Sequence, residues 1–224
     1  KKGIKPGSGI GSSAASSAGV VFAINKLIDY PFSDLELIRF AMEGEKFVSG
    51  SYHADNVSPI LLGGFTLVRS VKDLDIIKLP NPKGLIATII RPEIELKTSD
   101  SRKVVKLKVT IDKMVQQSAN LAAFISSLYT EDYDLMSNSI VDEIIEPDRA
   151  LLIPEFYNIK DISIKSGAIA CGISGSGPAI FALSKNNKIA NDILNKMSSH
   201  FNSVNISYNG FVSIINSEGV KVID

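Results

Sequence analysis

Gly7-Ser8-Gly9-Ile10-Gly11-Ser12-Ser13-Ala14-Ala15 constrains this chain more than any other stretch. Three glycines stand at every second position, and two serines and a run of small residues reaching Gly19 follow them. Glycine lets a backbone turn where a Cβ would clash and lets it come close to a neighbour or a ligand. The serines and alanines predict the first turn of a helix, with Ser12 or Ser13 near its cap. A glycine-rich turn feeding a helix N-terminus presents N–H groups and the positive end of a dipole, the makings of a phosphate site. The spacing is not the Walker A pattern, since no lysine follows the last glycine, and it is not G-x-G-x-x-G. Taken alone, the run fits a tight turn before a small-residue helix equally well.

Composition narrows the setting. With 224 residues, 45% of them hydrophobic, the chain has ample material for one large or two small buried cores. Twenty-four basic residues balance 24 acidic ones, and no long basic run occurs, which argues against a nucleic-acid or membrane-surface role. The apolar stretches are too short or too interrupted to span a bilayer. The lone Cys171 excludes an internal disulfide and suits a reducing, cytoplasmic setting. No signal-peptide pattern is present. The chain opens on Lys1-Lys2-Gly3 without an initiator methionine, so its start reads as a break inside a longer protein.

Periodicity lays out the elements. Helical spacing from Ala14 to Leu27 brings Val20, Val21, Phe22, Ile24 and Leu27 onto a helix that ends near Asp29-Tyr30-Pro31. Ser33, with Glu36 three residues on, is a capping box for a second helix. Its apolar face is Leu35, Leu37, Ile38, Phe40 and Ala41, and it is expected to end around Glu43-Gly44-Glu45. A polar loop, 49–57, leads into Ile60-Leu61-Leu62-Gly63-Gly64. Strands are expected at 65–69, 76–79 and 85–90, then a polar connection over 98–102 and a long amphipathic helix over 110–128. Shorter helices reach about Arg149, and strand-like runs at 169–173 and 179–183 flank a second glycine turn, Ser174-Gly175-Ser176-Gly177-Pro178. A helix over 187–201 and strands at 210–215 and 219–223 close the chain. This order indicates an α+β fold rather than a regular β-α repeat.

Three motifs thus recur in order: the glycine-serine loop headed by Pro6, then Glu43-Gly44-Glu45 with Ser49-Gly50-Ser51-Tyr52-His53-Ala54-Asp55-Asn56, then Gly172-Ile173-Ser174-Gly175-Ser176-Gly177-Pro178. Together they resemble the GHMP kinases, the galactokinase, homoserine kinase, mevalonate kinase and phosphomevalonate kinase superfamily. The segments His53-Ala54-Asp55-Asn56-Val57, Leu62-Gly63-Gly64, and Glu146-Pro147-Asp148-Arg149 leading to Leu152-Ile153-Pro154 look like the homoserine kinase branch. The match runs along the whole chain. It implies a two-domain α+β fold: residues 1–70 as the remainder of a ribosomal-protein-S5-like ATP-binding domain, and 71–224 as a ferredoxin-like C-terminal domain. It also implies that strands completing the N-terminal domain precede Lys1.

The resemblance carries expectations for chemistry. ATP and L-homoserine are the implied substrates, Mg²⁺ the cofactor, O-phospho-L-homoserine for threonine synthesis the product, and a cytoplasmic homodimer the working form. Pro6, Gly7, Ser8, Gly9, Ile10, Gly11, Ser12 and Ser13 are expected to bind ATP, and Ser13 with Glu45 to reach the metal. A hydroxyl and a carboxylate suit this hard ion, which takes further ligands from phosphate and water. Without the resemblance, Glu45 reads as a solvated helix-end charge. His53, Asp55 and Asn56 face the amino-acid substrate: Asp55 pairs the ammonium or accepts the hydroxyl proton, and Asn56 orients the hydroxyl. His53 reads equally well as a loop histidine bonded to backbone. Thr98 matches a threonine near the reacting hydroxyl, Arg102 and Arg149 match carboxylate-binding positions, and Gly175 brings backbone to the substrate. Arg39, Arg69 and Arg91 read as surface charges, and Cys171 as an inert core thiol. Two rivals stay open: a GHMP kinase acting on another alcohol such as mevalonate or shikimate, and a GHMP-fold binding protein without catalysis.

Overall fold

A computed structural model describes residues 3–50, 52–94, 96, 101 and 103–223, save the side chains of 48 and 49. The chain forms two compact units. One consists of Gly11–Asn81 with Lys1–Pro6 and Asn216–Asp224, the other of Pro82–Ile215 with Gly7–Ile10. The glycine-serine loop therefore changes unit between Ile10 and Gly11.

In the first unit, α1 (Ser12–Leu27) packs on α2 (Asp34–Ser49), followed by the short α3 (Val57–Leu62) and a two-stranded antiparallel sheet, β1 (Phe65–Ser70) with β2 (Asp75–Leu79). The Ser33–Glu36 capping box starts α2 as expected. Two features of these helices differ from the sequence reading. The buried residues of α1 are Ser12, Ala14, Ala18 and Asn25, with Val21 and Phe22 packed against the core, while Val20, Ile24 and Leu27 face outward. Small residues turned toward α2 let the helix axes approach. For the same reason α2 does not end at Gly44: a Cβ there would lie 2.5 Å from Ser17 Oγ and 3.1 Å from Ser17 Cβ, so this glycine is a contact point between the helices. The helix runs on to Ser49 and stops at Gly50, whose φ of 77° is the left-handed cap a glycine accepts readily. Leu37, Ile38 and Ala41 of α2 join Ala14, Ala18, Val57 and Leu61 in the core, whereas Leu35 and Phe40 of the expected apolar face are exposed. Each fully buried Leu or Ile contributes about 1.5–3 kcal/mol.

The second unit is built on a four-stranded antiparallel sheet in the order β4-β5-β3-β6, with β3 Ile86–Pro92, β4 Ala170–Ile173, β5 Ile180–Ser184 and β6 Tyr208–Ile214. The long excursion between β3 and β4 holds α4 (Ile111–Thr130), α5 (Tyr133–Ser139), the four-residue α6 (Glu146–Arg149) and α7 (Phe156–Lys165). After the β4–β5 hairpin, α8 (Asn187–Ser203) leads to β6. This β-α-β-β-α-β path with its strand order is the ferredoxin-like arrangement. Ile90, Ile180, Ala182 and Cys171 from the sheet meet Phe156 and Ile159 of α7 and Ile193, Met197 and Phe201 of α8 in one core. Thr88, fully buried in the central strand, donates its hydroxyl to Ala190 O at 3.1 Å.

Two further readings are corrected here. The sequence reading leaves 150–168 without an element, yet α7 forms there and supplies the core with Phe156 and Ile159. In α4, Ile111, Met114, Val115 and Leu121 are exposed, while Leu128 is buried, Asn120 donates to Val141 O and Gln117 accepts from Glu143 N. Residues 219–223 form no strand. Asn216 bends the chain by accepting from Glu218 N and donating to Gly219 O, and Val220 then packs on the core of the first unit.

Candidate active site

The first four residues of the glycine-serine loop pack within the second unit, on the turn between β4 and β5. Gly9 has a φ of 78°, and a Cβ on it would stand 2.5 Å from Gly177 O and 2.8 Å from Ser174 O. Ser174 Oγ donates to Gly9 O at 2.9 Å across 165 residues of chain. Gly175 approaches from the other side, its absent Cβ 3.1 Å from the same carbonyl. Two glycine turns thus back onto one another with no room for a side chain between them, so the second turn is more than a hairpin connection. Ser8 is 2% exposed, and its hydroxyl has no hydrogen-bond partner. A buried hydroxyl left unsatisfied is costly, and a phosphate oxygen is the partner such a loop is suited to receive.

The remainder of the loop belongs to the first unit. Gly11, at φ 73°, is the N-cap of α1 and provides no side chain, and Ser12 and Ser13 follow it in the first turn, near the cap as expected. The serines lie one step inside the helix and their hydroxyls are used elsewhere: Ser12 Oγ donates to Ile4 O at 3.1 Å, and Ser13 Oγ donates to Glu45 Oε2 at 3.1 Å. The first-turn N–H groups of a 16-residue helix stay available to an anion. Glu45 is 5% exposed, which removes the reading of a solvated helix-end charge. Because α2 continues past Gly44, Glu45 sits inside a helix facing the start of α1, where it meets Ser13. Hydroxyl and buried carboxylate side by side form a donor pair that fits a hard divalent ion. Among the described residues, no group of three or more His, Cys, Asp or Glu side chains could hold a metal.

Asn56 also reaches the loop. It is the N-cap of α3 but makes no side-chain cap bond, and its Oδ1 would lie 3.4 Å from a Cβ on Gly11. Its amide therefore stands at the last loop glycine instead of serving its own helix. Asp55 beside it is exposed and His53 half-buried. Tyr52 anchors this segment to α2, its hydroxyl donating to Glu43 Oε1 at 3.0 Å and accepting from Lys46 Nζ at 2.9 Å.

In the second unit, Arg149 ends α6 with Nη1 donating to Gly175 O at 2.8 Å and Nε donating to Ser101 O at 3.4 Å. Arginine and second glycine turn, both expected at the substrate, are in contact. Thr98 and Arg102 lie outside the described residues. Sequence reasoning missed the two acidic residues of the Glu-Pro-Asp-Arg turn as structural agents. Glu146 pairs with Lys160, and burial, its largest influence, raises the carboxyl above its ordinary value against the lowering effect of that lysine. Asp148 accepts from Lys106 N at 3.1 Å and pairs with Lys106 Nζ at 3.5 Å.

The sequence motifs have counterparts in known proteins. Residues 1–64 match the GHMP kinases N terminal domain, and residues 122–203 the GHMP kinases C terminal family. The homoserine kinase of Chlorobium phaeobacteroides strain BS1 is 41% identical over all of this chain, which spans 70% of that protein. The one from Chlorobaculum tepidum is likewise 41% identical, with 69% of its length spanned. The crystal structure of homoserine kinase from Cytophaga hutchinsonii superposes with a TM-score of 0.96 at 44% identity, covering 99% of this chain and 70% of that one. L. major mevalonate kinase in complex with R-mevalonate, at 16% identity and a TM-score of 0.69, shares the fold alone. The two glycine turns, the Ser13–Glu45 pair and the ferredoxin-like second unit therefore define an ATP-dependent kinase of the GHMP superfamily. Within it, the chain belongs to the homoserine kinase family.

Proposed function

We propose that this chain transfers the γ-phosphate of ATP to the side-chain hydroxyl of L-homoserine, giving O-phospho-L-homoserine for threonine synthesis, with Mg²⁺ as cofactor. The observation that carries the reading is the identity above 40% with homoserine kinases along the whole chain. The division into domains near residue 70 belongs to the same proposal, as do a homodimer and a cytoplasmic location. No described helix is long and apolar enough to cross a membrane.

Phosphoryl transfer asks little covalent work of a protein and much positioning and charge stabilisation. The loop from Pro6 to Ser13 receives the triphosphate on backbone N–H groups and on the Ser8 hydroxyl, the α1 dipole adding to the attraction. Ser13 and Glu45 would hold Mg²⁺. When bound, the ion neutralises phosphate charge that develops as the bond to the leaving oxygen breaks. Asn56, standing at Gly11, orients the homoserine hydroxyl toward the phosphate end of the loop. Asp55 pairs the ammonium or takes the hydroxyl proton, and His53 lines the same segment. Arg149 offers its planar guanidinium to the substrate carboxylate while its bond to Gly175 O fixes the fork, with Thr98 and Arg102 assigned to the same substrate.

The test is an acceptor screen by coupled ADP release with the native full-length protein. Homoserine is expected to be turned over far faster than mevalonate or shikimate, and preference for a non-amino-acid alcohol overturns the assignment. Arg149→Ala removes a charge-assisted contact worth about 2–3 kcal/mol, a rise in homoserine KM of roughly 30- to 150-fold with the ATP KM little changed. Equal effects on both constants would count against the carboxylate role.

A further inference from the structure

The Glu146-Pro147-Asp148-Arg149 turn is a helix of only four residues, too short to hold its own geometry in water. Where Arg149 points is therefore set by what anchors the turn. Glu146, its first residue, is inserted between α7 and β4: its carboxylate pairs with Lys160 of α7, and the two side chains are 12% and 26% exposed. Lys160 Nζ lies 5.8 Å from the centre of the Phe156 ring, so the lysine is fixed on its other side as well. Glu146 Oε2 would lie 3.1 Å from a Cβ on Gly172. Glycine inside a strand weakens it, and its usual justification is the close approach of another group. Here two groups approach, Glu146 and the ring of Phe181 on the paired strand, whose Cε1 would lie at the same 3.1 Å.

We propose that the Glu146–Lys160 pair, seated on Gly172, is a positioning device that holds Arg149 where it meets the substrate carboxylate. The inference rests on the reading of Arg149 as the carboxylate contact. One helical turn separates Glu146 from Arg149, so moving the first shifts the second. Both guanidinium bonds, to Gly175 O and Ser101 O, depend on that placement. Asp148, held by Lys106, ties the turn down at a second point. Misplacing a substrate-binding group by about 1 Å costs on the order of 100-fold.

The experiment compares Lys160→Met, the double variant Glu146→Gln/Lys160→Met, which leaves no unpaired buried charge, and Arg149→Ala in the full-length enzyme. Homoserine KM, ATP KM, kcat and melting temperature are measured for each. In both pair variants, homoserine KM is expected to rise roughly ten-fold or more with ATP KM within about two-fold. Lys160→Arg, which keeps the charge, should restore most of the loss. Adding Lys160→Met to Arg149→Ala should then raise homoserine KM no further, because the group being positioned is gone. A purely architectural pair gives a different pattern: a lower melting temperature and less active enzyme, with homoserine KM unchanged. That pattern in the variant that folds overturns the inference while leaving the Arg149 reading intact. If Arg149→Ala itself leaves homoserine KM unchanged, the underlying reading fails and this inference goes with it.

Discussion

Cys171 lies in β4 with 1% of its surface exposed, and burial pushes its thiol up to about 12. The thiolate that reacts with disulfides and alkylators is therefore essentially unpopulated at neutral pH. Native protein should not react with a thiol-specific aromatic disulfide over an hour, and one thiol per chain should appear on adding denaturant; rapid labelling of the native form would show that β4 opens. This is the inert thiol the sequence suggested. Glu146 could not be read that way, because its neighbour Lys160 lies 14 residues away and its burial comes from β4. Its carboxyl is raised above the ordinary 4.5 by burial, with Lys160 opposing and Asp142 adding to the rise. A raised carboxyl makes the folded state bind the proton more tightly than the unfolded one. The stabilisation is full below about pH 4.5 and is lost as pH rises through the folded value. Melting temperatures of the native protein and Glu146→Gln, followed from pH 4 to pH 7, should move relative to one another in favour of Gln as pH rises; a constant difference would contradict the direction of the shift.

At the scale of elements, glycines carry the contrast between local and tertiary causes. Gly50 ends α2 by adopting a backbone conformation other residues resist, an effect local to the turn. Gly44 sits in mid-helix because Ser17 of α1 occupies the space of its Cβ. Ala in place of Gly favours an isolated helix by about 1 kcal/mol. Here the overlap with Ser17 Cβ and Oγ outweighs that gain, and Gly44→Ala is expected to destabilise by about 1–2 kcal/mol net. Chemical denaturation of Gly44→Ala, and of Gly44→Ala with Ser17→Gly, tests it: the second change should recover stability only if the clash is the cause. Gly9 has both reasons at once, a left-handed backbone and carbonyls of Ser174 and Gly177 within 2.8 Å of any Cβ. Gly9→Ala should leave the second unit folded by circular dichroism and abolish detectable ATP binding by calorimetry; unchanged affinity would remove the loop from the phosphate site.

At the scale of the whole molecule, the C-terminal segment closes the first unit. After Ile215 the chain turns on Asn216, Asn216 O accepts from Gly64 N at 2.6 Å, and Lys78 Nζ binds Leu62 O and Ser217 O. Val220 then packs against the core cluster to which Leu61 and Val57 belong. A chain ending at Ile215 should lose part of the first unit's cooperative unfolding and bind an apolar dye, whereas an unchanged melting profile would show the segment to be dispensable. The sequence by itself determined most of the elements and their order, the capping box, the two glycine turns and the motifs that mark the family, since each depends on residues within a few positions of one another. Tertiary structure alone decided which glycine ends a helix and which admits a neighbour, that α7 completes the second core, that Val220 packs on the first core without strand pairing, and that Glu45 is buried. The physical reason is distance along the chain. Ser13 meets Glu45 across 32 residues and Ser174 meets Gly9 across 165, and packing, not local preference, brings such pairs together.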